Sequence, residues 1–468
     1  MLQARIYRAS VLVKLGRYQG ALEEIDAVLP VLTEVSGARN PSTLSLRFNH
    51  ASVLRFLGCF REALAEIDAL LPVRNDVSGE RHPDALSTRV LRAIVLQNLG
   101  RTHEALLELD TVLPIRAKVS GDRHPETLVV RHQRANMLES LRRQGEALAE
   151  LNAIIPLTKE VFGERHPDTL TTTYDLCTLL SRLGRYSEAL VEIETLLPIR
   201  VAVSGEHHPD TLVNRGLRAT LLYALGRNDE SLAEFDALLP IMTEVLGDRN
   251  ANTLINKHER SRVLFLLGRA SEALSELDVV TPLQIESLGE RHRVTLIGRS
   301  FRAMVLDHFG RQREAIAEID AVLPVQNEVM GESHPDTLSS RQRRASALLG
   351  FGRNDEALNE LDALLTIQKD VLGERHPDTL LTGQLHAKSL EALERHREAL
   401  AEADSLLLTQ VEVSGERHAN TLSLRRLRFS ALLGLGRFDD GLAELDAVIE
   451  VCAETAGKDS SDVQALRG

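Results

Sequence analysis

Tryptophan is absent from the chain, aromatic residues make up 3% of it, and only three cysteines occur in 468 residues. So few rings leave a sheet sandwich without its usual packing residues and favour Ala and Leu between close helices, an all-α class. Cys59, Cys177 and Cys452 lie far apart, with an odd count and no CxxC pair. That excludes a disulfide framework or structural zinc site and fits a reducing compartment. No run of roughly eighteen apolar residues occurs, and the N-terminal stretch has neither an apolar core nor a small-residue cleavage site, so a cytoplasmic location and no membrane contact are expected. Basic residues are outnumbered, 55 against 68 acidic, for a net charge of −13. Long-range attraction to nucleic acid is therefore not expected. Also missing are Gly-rich phosphate loops, nucleophile elbows and zinc-protease motifs, so no enzyme chemistry, cofactor or metal is expected.

What the chain has is repetition. The pair Gly-Arg recurs at Gly16, Gly100, Gly184, Gly226, Gly268, Gly310, Gly352 and Gly436, with Gly58, Arg142 and Glu394 holding the period of 42 residues where the pair degenerates. A second marker, Gly-Glu-Arg-His-Pro-Asp at Gly79, Gly163 and Gly373, falls half a period later. Each unit reads as helix A, turn, helix B. In the third unit Leu86, Ala93, Leu96 and Leu99 form one apolar stripe, and Ala105, Leu106, Leu109, Leu113 and Val119 another. Pro83 suits the first turn of helix A and Asp84 the positive end of its dipole. Gly100 and Gly121 suit left-handed positions closing helices A and B.

A proline recurs inside helix B at Pro30, Pro72, Pro114, Pro156, Pro198, Pro240, Pro282 and Pro324, giving way to Thr366, Leu408 and Glu450. Helix B is expected to kink at the prolines and to run straighter toward the C-terminus. With no linker or low-complexity stretch, one array fills 1–468 as eleven repeats: 1–36, 37–78, 79–120, 121–162, 163–204, 205–246, 247–288, 289–330, 331–372, 373–414 and 415–456, with a degenerate tail at 457–468. Stacked helix pairs of this kind bury one continuous core.

The pattern Ala93, Leu96, Gly100, Ala105, Leu109 resembles the tetratricopeptide signature, whose usual unit is about 34 residues. The longer unit and its G-x-x-H-P-x-x-L turn are similar to the kinesin light chain subclass and to bacterial arrays that follow a nucleotide-binding switch domain. The resemblance implies a right-handed α-solenoid and a non-catalytic scaffold that binds a peptide or protein partner in a concave groove lined by A helices. An alternative is the ligand-sensing array of a larger signalling or defence protein. The start at Leu2, Ile6 and Val13 is not a polar cap, and another domain, a second chain or a missing segment is expected to cover it.

Eleven repeats in one chain allow columns to be compared. Two basic columns run along helix A, one from Arg5, Arg47, Arg89 and Arg131 to Arg425, the other three residues later from Arg8, Arg92 and Arg134 to Arg428. They are either a cationic ladder for an acidic ligand or internal partners of the Glu column, Glu24 to Glu444, that every helix B carries. The family resemblance favours internal pairing, which would fix register more than it would stabilise. The His-Pro column, His82, His124, His166, His208, His334 and His376, lacks metal-ligand spacing and is read as capping. Groove positions implied by the resemblance vary instead: Phe48, Arg55, Phe56, Asn98, His132, Asn136, Tyr174, Arg182, Tyr223, His258, Arg262 and Phe265. Aromatics and arginines are what binding surfaces concentrate. These place the ligand on repeats 2 to 7, whereas Ser300, Ser339, Ser346 and Gly350 make later repeats blander.

Overall fold

The computed structural model describes residues 2–456, so the degenerate turn expected from Gly457 lies outside the described residues. Those residues form α-helices and no strand. Two compact units are present, Met1–Arg227 and Asn228–Gly468. The first holds α1 (Leu2–Lys14), α2 (Tyr18–Ser36), α3 (Pro41–Phe56), α4 (Phe60–Ser78), α5 (Pro83–Asn98), α6 (Thr102–Ser120), α7 (Pro125–Ser140), α8 (Gln144–Phe162), α9 (Pro167–Arg182), α10 (Tyr186–Ser204) and α11 (Pro209–Ala224). The second holds α12 (Asn228–Leu246), α13 (Ala251–Leu266), α14 (Ala270–Leu288), α15 (Arg293–His308), α16 (Gln312–Met330), α17 (Pro335–Gly350), α18 (Asn354–Val371), α19 (Pro377–Ala392), α20 (His396–Ser414), α21 (Ala419–Gly434) and α22 (Phe438–Ala456). Odd-numbered elements are A helices, even-numbered ones B helices. Within each unit every helix packs on the next, and successive A helices also touch directly, as α5 does α7 and α15 does α17.

The two turns follow from local chemistry. Helix A ends in a Schellman motif: the Arg101 amide donates to the Leu96 carbonyl and the Gly100 amide to the Gln97 carbonyl, both at 2.9 Å, with Gly100 at φ +77°. Arg101 then precedes helix B and forks onto Glu104, three residues on, at 2.7 and 2.6 Å. This pairing recurs, which explains the Gly-Arg marker. Helix B ends at Gly121, where φ +97° and ψ 154° are open to little but glycine. His124 follows as N-cap, its Nδ1 accepting from the Glu126 amide at 3.3 Å. His82, His166, His208, His292, His334, His376 and His418 act in the same way, and so do Asn40 and Asn250 through Oδ1.

Core packing matches the apolar stripes except at their ends. Leu86, Ala93, Leu96, Ala105 and Leu109 are fully or nearly fully buried, and truncating a buried Leu such as Leu109 to Ala would cost about 2–5 kcal/mol. The helix B stripe continues through Val112 and Arg116, not Leu113 and Val119: Leu113 is only partly buried, and Val119 stands exposed in the last turn. Positions 105, 109, 112 and 116 follow the helical period, so the charged residue shares the apolar face. Helix B runs unbroken through Pro30, Pro72, Pro114, Pro156, Pro198, Pro240, Pro282 and Pro324.

Candidate functional site

The most regular charges on helix A are consumed inside the fold. Arg131 Nε donates to Glu150 at 2.5 Å, Arg134 Nη1 reaches the other oxygen of Glu150 at 3.0 Å, and Arg134 Nε reaches Asp110 of the preceding repeat at 2.7 Å. One B-helix carboxylate thus holds both arginines of its own A helix, while the second arginine ties that repeat to the one before. The same three-way pattern joins Arg299 and Arg302 to Glu318 and Asp278. It joins Arg425 and Arg428 to Glu444 and Asp404 as well. Lys257 departs from it and pairs with Asp248 at 2.7 Å. Burial pushes the Glu276 carboxyl above its ordinary range, and Arg260 offsets only part of that. Arg260 loses by desolvation too but is raised overall by Glu276 and Asp236. Such pairs specify which helices meet more than they add stability.

The next positions along helix A bridge successive repeats. His132 Nε2 lies 2.6 Å from Asp175 Oδ2, and Arg182 pairs with Glu139, so α7 and α9 are joined twice on one face. Tyr174 is partly buried beside them, its hydroxyl pushed up to about 12 by burial first and by Asp175 next. Asn136 is half-buried and Asn98 exposed. In α3, Phe56 stacks on Tyr18 with centroids 4.5 Å apart, and the Arg55 guanidinium covers the other ring position at 3.9 Å. Burial lowers the Arg55 pKa. Tyr223, in α11, is half-buried. Phe48 faces a mainly apolar pocket of about 320 Å³ between α3, α5 and α7, shared with Val90, Leu91, Ile94, Val129 and Val130.

In the second unit, Arg262 pairs with Glu259 at 2.9 Å, and Phe265 meets Phe301 and His308 edge to face. His258 is not a surface group. It is 2% exposed, edge-on to Phe301 with centroids 5.6 Å apart, and its pKa is lowered to about 4 by burial above all. The structure thus gathers His132, Tyr174 and Arg182 with their partners in one place and His258, Arg262 and Phe265 in another, while Arg55 and Phe56 form a third cluster.

One buried polar column escapes a reading by recurrence. Arg74, Arg116 and Arg200 are 4%, 2% and 4% exposed. In the same register stand Thr158, Met242, Gln284, Gln326, Gln368 and Gln410, all buried. Arg74 donates to the Asp84 carbonyl and Thr88 hydroxyl at 2.8 Å and to the Leu44 carbonyl at 3.1 Å, so it fastens the two A helices α3 and α5 from beneath. Arg116 pairs with Glu126 and donates to Ser87 at 2.9 Å at the floor of the apolar pocket. The available signal was position, two residues after the helix B proline, and not chemistry. Cys177 is a buried thiol pushed up to about 12 by desolvation, and among the described residues no cluster of His, Cys, Asp and Glu could hold a metal.

The tetratricopeptide repeat family model matches residues 86–126 and 337–378. Each stretch spans one A helix, one B helix and the following turn, the unit from which both compact units are built. The two matched stretches are tetratricopeptide repeats. The apo form of the quorum sensor NprR from B. thuringiensis is similar to the repeat structure at 14% identity, over 81% of this chain and 99% of that one, with a TM-score of 0.56, a likeness of fold. Kinesin light chain repeats from Podosopora anserina align at 24% identity over 43% of this chain and 95% of theirs, TM-score 0.38. BtubC from P. vanneervenii aligns at 19% over 53% of this chain and 93% of its own, TM-score 0.40. Neither of these two superpositions is close enough to carry an argument. No curated protein matches the sequence. No helix among the described residues is long and apolar enough to cross a membrane.

Proposed function

We propose that this chain is a non-catalytic interaction scaffold whose tetratricopeptide A helices bind an extended peptide or protein segment. The observation that carries the reading is the contrast between columns. The recurring arginines are taken up by B-helix carboxylates, while the neighbouring A-helix positions differ from repeat to repeat and form local clusters. In the first unit the apolar pocket beside Phe48 suits a hydrophobic anchor, and His132, Tyr174 and Arg182 would supply polar and aromatic contacts. In the second, Arg262 and Phe265 are the assigned contacts. The proposal counts the helix pairs as one array of eleven repeats and keeps the partner a protein, not nucleic acid, in the cytoplasm. It is tested by partner capture with the wild type and with Phe48→Ala and Tyr174→Ala. Loss of the captured protein is expected, and undiminished capture by both variants would remove the assigned surface.

A second reading, a ligand-sensing array within a larger signalling protein, is favoured by α1. There Tyr7 and Val11, four apart on one helix face, and Leu15 just past the helix end are 66%, 53% and 63% exposed. A nucleotide-binding motif encoded in frame upstream would support it, and an upstream stop would remove it.

A further inference from the structure

Within the second unit, α13, α15 and α17 enclose a polar cavity of about 410 Å³. His258, Arg262, Ser300, Phe301, Gln326 and Arg343 form much of its wall. Two of these side chains are buried with nothing to bond. Neither ring nitrogen of His258 has a partner, and Gln326, fully buried, has none for its amide nitrogen or oxygen. Just behind, Gln284 Oε1 is unpartnered as well, in the space left because Gly298 has no Cβ, which would otherwise stand 2.6 Å from it. Buried polar atoms nearly always find partners, so a group of orphans around one cavity marks a place for something polar.

The cavity exists because the A-helix column shortens here. Gln342, one repeat after Ser300, spans the corresponding gap and donates to the Asp378 carbonyl at 3.1 Å and to Thr382 at 2.8 Å, and Gln384 reaches the Asn420 carbonyl at 3.1 Å. Ser300 is shorter: it meets the corresponding Ser340 hydroxyl at 2.7 Å and accepts from Arg343, but makes no bond to the Asp336 carbonyl. The residues that look bland in sequence are the ones that leave room.

Its charge is tilted to one sign. Arg262 pairs with Glu259 at 2.9 Å and Arg293 with Asp336 at 2.9 Å, while Arg343 Nη1 donates to Ser300 at 2.8 Å. Three guanidinium groups thus stand against two carboxylates on the wall. His258 sits among these charges: burial depresses it most, Glu259 opposes that, and Arg262 and Arg343 depress it further. It presents one N–H and one lone pair beside these cations.

We propose that this cavity binds a small polar molecule through a phosphate or carboxylate, with Arg343 supplying charge and the Gln326 amide and His258 N–H supplying the remaining donors. The volume, about a dozen waters' worth of liquid, exceeds what one oxyanion fills, so the group is borne on a larger body whose hydroxyl or amine meets the Gln326 oxygen and the second His258 nitrogen. The proposal goes beyond a protein-binding surface and needs no protein partner.

The test follows the His258 ring signal in histidine-labelled protein, assigned with His258→Asn, during titration with inorganic phosphate, succinate and an acidic peptide. Saturable movement with phosphate or succinate is expected, together with a rise in the His258 titration midpoint. Arg343→Gln should weaken binding by roughly tenfold or more, and Arg375→Gln, an exposed residue paired with Glu412 elsewhere, should not. If Arg343→Gln does not fold, Gln326→Leu is read in its place, because Leu32 occupies that register position in the first repeat. No saturable movement with either small anion, equal movement in the variants, or a response to the acidic peptide alone would overturn the proposal. Its failure would leave Phe48 and Tyr174 in the first unit untouched.

Discussion

His258 enters the folded chain neutral. Its pKa falls from the ordinary 6.5 to about 4, chiefly through burial. Between those values the unfolded chain holds one more proton than the folded one, so stability is complete above about 6.5 and declines as pH drops toward 4. The loss is on the order of 3 kcal/mol. Urea unfolding midpoints of wild type and His258→Asn, measured across that window, are predicted to differ in slope, the variant being flatter, and parallel curves would contradict this. Arg116 offers a second residue-scale check. It is buried on the apolar stripe, and the same register position is filled by Met242 and Leu32. Its partner Glu126 is 54% exposed and stays solvated, so removing the guanidinium leaves no buried charge behind. Arg116→Met should therefore change stability by no more than about 1 kcal/mol, as read from denaturant melts. These two residues also show where sequence reading stops. Recurrence marks the arginines that helix A pairs with B-helix carboxylates because their chemistry is constant, whereas the column holding Arg116 changes from Leu to Arg, Thr, Met and Gln and leaves no recurring letter to notice. His258 was singled out as a groove contact, but its burial depends on Phe301 one repeat away, which no local pattern encodes.

At the scale of the helix pair the sequence was far more legible. Gly-Arg and Gly-x-x-His-Pro place both turns within a residue, because a left-handed C′ position, an N-cap and a first-turn proline each admit few residue types. The exceptions carry a prediction. Arg142 and Glu394 occupy the left-handed position with φ of 60° and 61°, where other repeats have glycine. A side chain there costs about 1–2 kcal/mol, partly repaid by glycine's larger unfolded entropy. Arg142→Gly and Glu394→Gly should each raise stability by roughly 1 kcal/mol, and Gly121→Ala, at φ +97°, should lower it by about 1–3 kcal/mol. Thermal melts of the three variants check both signs. The pairing of helices was readable only in part. Equal spacing showed that Glu150 and Arg131 share a register, but the reach of Arg134 back to Asp110 of the previous repeat is a feature of stacking.

For the molecule as a whole, the account assigns ligand contact to the A-helix positions that vary and internal register to those that recur. Affinity purification with quantitative mass spectrometry separates the two directly, comparing wild type with Phe48→Ala, Tyr174→Ala and the ladder variant Arg92→Gln, each first shown by circular dichroism to keep its helices. The account predicts that the captured partner is lost with Phe48→Ala or Tyr174→Ala and retained with Arg92→Gln. A partner lost with Arg92→Gln and retained with both of the others would contradict it.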